Sequence, residues 1–354
     1  MIDFRYHIVS LVAVFLALAT GVLLGAGPLQ EPIQGQLEGR AEALRDDQQQ
    51  LREANGDLQA RVELGDAFVA EVAAALVGSD LNGRRVVLVT LPGVDDALRE
   101  STEASLSSAG AVLSGRVGIE PDLYDPDRLI EISEVVEALA TAGPEPDPDL
   151  PTPQLRVAAA LARSLVTTVE ADSGVAPVEP AAPVEPAAPA DPAAPADRQV
   201  PAGEPDEQAA AILSGLTELG VINVDGEPAS RATLAVVLAP GVPQEGGASA
   251  TTPPPEQRDA MLLPLIIQLD AAGRGVVVAG AGRSTAEGGF VAAVRENGSP
   301  QEPVSTVDVA DTPPGQVAML LALGEQERGG VGDYGAGSGT DGVLPPAARA
   351  APAP

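Results

Sequence analysis

Few side chains in this sequence could do chemistry, and their spacing narrows the choice further. The one histidine is His7, cysteine is absent, and methionine is limited to Met1, Met261 and Met319. Without cysteine there is no thiolate nucleophile, no disulfide framework and no thiolate metal site. A catalytic triad needs a base, and His7 sits at the edge of an apolar run, where a flanking imidazole at a membrane interface is the ordinary reading. Soft cations prefer Cys or Met sulfur, and three scattered methionines give no visible ligand set. Carboxylate pairs such as Asp46-Asp47 and Asp95-Asp96 arise by chance in a chain with 51 acidic residues. They could hold divalent cations only loosely and without selectivity. The most nucleotide-like element is Gly275-Val-Val-Val-Ala-Gly280-Ala-Gly282-Arg-Ser-Thr285. It reads as strand, glycine turn and helix, but Thr285 replaces the third glycine of the fingerprint and no acidic residue follows at the expected distance. A tight strand-to-helix turn is the default. No catalytic or cofactor-binding residue is assigned, and the chain is read as a non-enzyme.

Charge narrows the partners. The 51 acidic residues face 20 basic ones, all of them arginine, for a net charge of -31, and such a surface repels nucleic acid. Tryptophan is absent and aromatics are 2% of the chain, so any core must be built from Val, Leu, Ile and Ala.

The elements that could position a site begin at the N-terminus. Residues 8–26, Ile8 to Ala26, carry no charge and as a helix would span about 28 Å, close to the hydrocarbon thickness of a bilayer. The run exceeds a secretory signal core, and Pro28 spoils the nearest cleavage site, so the expectation is a retained transmembrane helix. Arg5 precedes it and Glu31 is the first charge after it, which keeps residues 1–7 in the cytoplasm and the bulk of the chain outside. Ala13, Ala17, Gly21 and Gly25 recur every four residues on one face and include a GxxxG element, a spacing that lets helix backbones approach closely. That ladder reads either as an association face or as a product of abundant Ala and Gly.

Residues 33–78 follow as a helical stalk. Leu37, Leu44, Leu51 and Leu58 repeat every seven residues at heptad position d, with Gln34, Ala41, Gln48, Asn55 and Val62 at a. The expected coiled-coil core is Leu37, Leu44, Leu51, Asn55, Leu58 and Val62, continuing loosely through Val69, Val72 and Leu76. A buried Asn55 favours a parallel dimer in register, and Asp47 can pair with Arg52 of a partner, whereas Arg40 and Arg45 oppose each other. Anchoring in one membrane raises effective concentration and aligns the chains. An amphipathic helix packing back on its own domain is the other reading.

After Gly83 the pattern changes. Val86 to Leu91 is a continuous apolar run closed by Pro92-Gly93, the mark of a strand buried on both faces. Further strands are expected at Ala111–Val117, Leu234–Leu238, Val276–Ala279 and Val304–Val309. Helices are expected at Asp95–Ala109, capped by Asp95 or Asp96, and at Asp127–Thr141, Gln154–Glu170, Glu207–Leu219, Glu256–Ala272, Gly289–Glu296 and Gln316–Gln326. The alternation predicts an α/β domain with a largely parallel sheet, its first part at 83–171 and its second at 207–327. Residues 172–206 interrupt it with a Pro/Ala-rich acidic hexad repeat, expected to be a disordered spacer whose ends return to one fold. A disordered Gly/Pro-rich tail is expected at 328–354.

The opening Met1-Ile-Asp-Phe-Arg-Tyr-His-Ile-Val-Ser-Leu-Val-Ala-Val-Phe-Leu-Ala-Leu, with Gly21 to Leu29, resembles the actinobacterial copper transporter family typified by mycobacterial copper transport protein B (MctB). The leucine stalk, Gly83 to Gly93, Val304-Ser-Thr-Val-Asp308, Gln316-Val-Ala, Leu321-Ala-Leu and Asp333-Tyr-Gly-Ala-Gly337 extend the resemblance over most of the chain. It implies a cell-envelope protein that limits copper accumulation, with copper as the transported ion and an oligomeric channel as one means. The residues themselves point to a single-pass membrane protein, and the resemblance implies a place in the cell membrane or the outer cell envelope. Its expected partners are further copies of itself, joined through the transmembrane helix and coiled coil, and membrane lipid. An envelope scaffold, or an extracytoplasmic binding module serving a separate transporter, fits the same elements.

Overall fold

A computed structural model describes residues 4–25, 30–78, 80–140, 150–169, 202–204, 206–242, 254–297 and 304–346. Most of the expected insertion and the end of the tail therefore lie outside the described residues, as does Ala26. The chain divides into two units, Met1–Gly65 and Asp66–Pro354.

The first unit is helical. Helix α1, Phe4–Gly25, covers the uncharged run, where a bilayer leaves no solvent for unpaired backbone groups and a helix satisfies them internally. Helix α2, Gln30–Val77, is continuous for 48 residues, about 72 Å at 1.5 Å per residue, and its last turns belong to the second unit.

The second unit is built on one sheet. Its strands are β1 Arg85–Thr90, β2 Val112–Ile119, β3 Ile222–Gly226, β4 Leu234–Ala239, β5 Val276–Gly280, β6 Ser305–Val307 and β7 Asp333–Tyr334. They lie in the order β3-β2-β1-β4-β5-β6-β7, and every neighbouring pair is parallel except β2 with β3. Successive side chains of a strand point to opposite faces, so a run such as Val86-Val87-Leu88-Val89 feeds two cores at once. Val87, Val89, Val237 and Val278 point into one core, with helices α4 Leu129–Ala140, α5 Pro153–Leu165, α6 Glu207–Glu218, α7 Pro255–Ala272 and α8 Phe290–Asn297. Val86, Leu88, Val236 and Val277 point into the other, under α3 Asp96–Ser108, α9 Pro313–Glu327 and the end of α2.

Several expectations need correction. The helix expected to reach Glu170 stops at Leu165, because Val166 turns extended and bridges Ala232 just before β4. Asp95 occupies the N-cap position of α3 but makes no side-chain cap bond. Strand β3 escapes the apolar-run test because its sequence, Ile-Asn-Val-Asp-Gly, belongs to a half-wet edge strand. The tail expected to be disordered from Arg328 is structured through residue 346: β7 pairs with β6, and Tyr334 is buried. The expected insertion also extends too far. Ala202 is buried and donates its N–H to the Val169 carbonyl at 2.8 Å, while Asp206 caps α6 by accepting from Gln208 N and Ala209 N.

The Ala202–Val169 bond holds together the two ends of the connection over 170–201, and the first part of the domain pairs with the second through β1 and β4. Replacing residues 174–197 by a direct junction shortens the loop about fourfold and lowers its closure cost by about 1 kcal/mol. Urea unfolding of that variant is expected to keep one cooperative transition at equal or slightly higher midpoint. Loss of the transition would show that the removed segment contributes to the core.

Candidate functional site

Helix α1 offers the largest apolar surface left without partners among the described residues. Tyr6, Ile8, Val9, Leu11, Val12, Val14, Phe15, Leu16, Leu18, Val22 and Leu23 are all exposed, and none of the span from Arg5 to Leu23 is buried in the chain. Leaving such surface in water forgoes about 25 cal/mol for each Å² of apolar area, so lipid or another helix is its natural environment. The Thr20 hydroxyl donates back to the Leu16 carbonyl, which removes the one hydroxyl within the ladder from competition. His7 is exposed in the first turn of the same helix.

Ala13, Ala17, Gly21 and Gly25 fall on one side of α1. A Cβ added at Gly21 or Gly25 would meet nothing within 4 Å. Among the described residues nothing therefore requires Gly21 or Gly25 to be small, and a neighbouring helix would.

The stalk shows the same condition in a polar helix. Leu44, Leu51, Leu58 and Val62 are between 60% and 70% exposed, and Asn55 is exposed between them. The side chains of Leu37, Gln34 and Ala41 lie outside the described residues. Beyond Gly65 the stripe changes use. Val69 and Ala73 pack against the second core, and Val77 is buried in it. The heptad pattern expected to run on through Val69, Val72 and Leu76 is thus redirected at Val69, which spends its apolar face on its own domain. Leu64 and Phe68 remain exposed on a neighbouring ridge of the helix.

The glycine turn after β5 is filled by its own atoms. A Cβ at Gly280 would lie 2.3 Å from Ser284 Oγ and 2.6 Å from Val291 Cγ2. The Ser284 carbonyl accepts from Ala292 N at 3.2 Å and so occupies the first turn of α8, the place a phosphate would take in a dinucleotide site. Arg283 holds a left-handed φ of 70° to make the turn.

Metal ligands are equally dispersed. Among the described residues no three His, Cys, Asp or Glu side chains come together to hold an ion. Met261 is buried in one core and Met319 in the other, with the sheet between them. No thioether pair forms there.

What the fold does bring together is a clasp that the spacing in the sequence conceals. Asp308, at the end of β6, accepts from Ala336 N at 2.8 Å, Gly337 N at 3.0 Å and Arg295 Nη1 at 3.0 Å. Arg295, on α8, also donates to Thr306 Oγ1 and to the carbonyls of Tyr334 and Ser338. Thr306 Oγ1 donates to Asp333 Oδ1 at 2.6 Å. A Cβ at Gly335 would lie 2.0 Å from Asp308 Oδ1, and φ is +133° there, so glycine is demanded twice over. Both oxygens of Asp308 are thereby engaged, and the cluster fastens the chain end to the sheet.

These features define a membrane-associated α/β protein: one exposed apolar helix, a stalk with unpartnered leucines, and a closed domain. The family model described as "Copper transport outer membrane protein, MctB" matches residues 1–345, and the chain belongs to that family. "Copper transporter MctB" of Mycobacterium tuberculosis (strain ATCC 25618 / H37Rv) is 26% identical over 344 residues, covering 96% of this chain and 98% of the relative. The protein of the same name from Mycobacterium leprae (strain TN) is 25% identical over 353 residues, covering 98% of this chain and all of the relative.

The clasp gives a direct test of the corrected tail. Asp308→Ala takes the buried carboxylate from the Arg295 guanidinium, leaving it the looser pair with Asp333 at 3.5 Å, and strips the Ala336 and Gly337 N–H groups of their acceptor, a loss of about 3 kcal/mol. Chemical denaturation should show that fall, with residues after Arg328 becoming protease-sensitive under native conditions; an unchanged midpoint would contradict the assignment.

Proposed function

We propose that this protein takes part in copper transport across the cell envelope as a membrane-anchored homo-oligomer. The observation that carries the assembly is the run of unpartnered apolar surface on α1 and on α2 up to Val62. The copper role rests on the family and on what its relatives are named. In this reading α1 crosses the membrane with Arg5 on the cytoplasmic side, and the α/β domain lies outside. The small-residue face of Ala13, Ala17, Gly21 and Gly25 brings neighbouring helices together, and Leu37, Leu44, Leu51, Asn55, Leu58 and Val62 form a parallel coiled coil above it.

A single helix cannot line a path for an ion, so any conduit has to be built from several copies. The sheet is buried under helices on both faces, and α1 is the surface that supports membrane contact. Copper here is cargo. The scattered ligands favour passage or partner delivery over tight storage in one chain. An envelope scaffold, or a binding module that serves a separate transporter, shares the anchor and stalk but does not itself carry copper.

The chain holds no cysteine, which makes crosslinking clean. Leu51→Cys at a core position should form disulfide-linked dimers in membranes on mild oxidation, while Glu53→Cys on the outer face should not; equal yields would remove the coiled coil. Deleting the gene is expected to raise cell-associated copper under copper stress, with restoration by the intact gene but not by one lacking residues 4–25. Unchanged copper content, with crosslinking intact, would leave the scaffold or binding-module reading.

A further inference from the structure

Past Gly65 helix α2 carries two apolar ridges, and its own domain is packed on one of them. Val69, Ala73 and Val77 meet the second core. One residue out of step, and so about 100° round the helix, run Phe68, Val72 and Leu76. Phe68 is 64% exposed and Leu76 42%, while Val72 is half-buried. Apolar side chains standing together on a surface in this way mark a place of contact.

The charges around this ridge decide what covers it. Glu63 and Glu71 border it, and Arg61 is the one basic residue between Ala60 and Gly78. An anionic lipid surface asks for a basic border, so lipid is disfavoured. Arg61 and Asp66 make no hydrogen bond or ion pair among the described residues. With Leu37 to Leu58 at heptad position d, Arg61 falls at g and Asp66 at the following e. Five residues apart on one helix, they do not face each other. Across a parallel pair of helices those two positions do, so each Arg61 meets Asp66 of the other copy.

The spacing of the ridge also continues the seam. Leu58, Val62 and Gly65 are successive d, a and d positions, and the next a position, Val69, is taken by the domain. Phe68 follows Gly65 by three residues, and Val72 follows Phe68 by four. Such a shortened step overwinds a coiled coil locally and turns its seam, here toward the free side of the helix. A helical Phe leans back over the turn before it, which holds Gly65. A Cβ added at Gly65 would meet nothing within 4 Å, so the glycine leaves room there for a ring of the other copy.

We infer that Phe68, Val72 and Leu76 dock against the same ridge of a second, parallel copy, flanked by Arg61–Asp66 ion pairs, so that two domains are joined at their necks. This rests on the coiled-coil reading of the stalk and carries the contact past the end of the leucine repeat.

Single cysteines in the full chain, in its membrane, test the contact, since the chain has none of its own. Phe68→Cys, at an exposed position, is expected to give disulfide-linked dimers on mild oxidation at a yield near that of Leu51→Cys. Ala70→Cys, about 200° round the helix from Phe68, should link far less. Adding Arg61→Glu to Phe68→Cys should lower the yield about threefold, and a further Asp66→Arg should restore it. Links through Leu51→Cys with none through Phe68→Cys would overturn the inference and leave the coiled coil standing, its helices parting after Val62. Absence of both would remove the coiled coil as well. Equal yields at Phe68 and Ala70, or no recovery in the charge-swapped variant, would likewise overturn the docking.

Discussion

The α/β domain depends on the parallel pairing of β1 with β4. Val86 to Thr90 aligns with Leu234 to Leu238, joining two segments separated by the Pro/Ala-rich insertion. Strand β1 lies centrally, with β2 on one side and β4 on the other, so the chain can extend the sheet outward in both directions. Forming that pair requires closing a long loop before any reward arrives, and the reward is burial of both strand faces at once. Two cores then form against the same backbone, and helices from both halves cover them.

Everything outside that domain follows a different rule. Helix α1 and the upper part of α2 display apolar side chains with no partner among the described residues, and nothing among those residues requires Gly21 and Gly25 to be small. In water such surfaces are a liability, whereas in lipid and against another helix they are binding energy. The change of use at Val69 marks where the stalk helix ceases to offer its stripe outward and spends it on the domain. Val69, Ala73 and Val77 are four residues apart, which is the ridge spacing for packing a helix onto a core.

Two strings through which the chain resembles the family take on meaning in this light. Ser305-Thr-Val-Asp308 and Asp333-Tyr-Gly-Ala-Gly337 look like unrelated fragments in the sequence, but together with Arg295 they make one polar fastening. It holds a short edge strand that could not persist by itself, since β7 contributes only Asp333 and Tyr334 to the sheet. The glycines there are packing requirements set by Asp308 and Thr285, not signs of a flexible end. Low complexity and glycine content suggest a loose tail because composition is blind to a buried carboxylate 29 residues away from the Gly337 amide it accepts from.

By itself the sequence determined the elements whose signal is local. An uncharged run long enough for a bilayer, a seven-residue leucine repeat, and β-branched runs buried on both faces each follow from side chains close together in the chain. The absence of Cys and the solitary His7 likewise settled from composition which chemistries lack residues. Only the tertiary structure decided what depends on distant contacts. It set the sheet order, the edge strands β3 and β7, the closure of the insertion by Val169 and Ala202, and the turn of Val69 toward the domain. It also placed Met261 and Met319 on opposite faces and left the Tyr124 hydroxyl buried without a partner. The physical reason is the same in each case: periodicity reports how a segment faces its surroundings, while the identity of those surroundings is fixed by the rest of the fold.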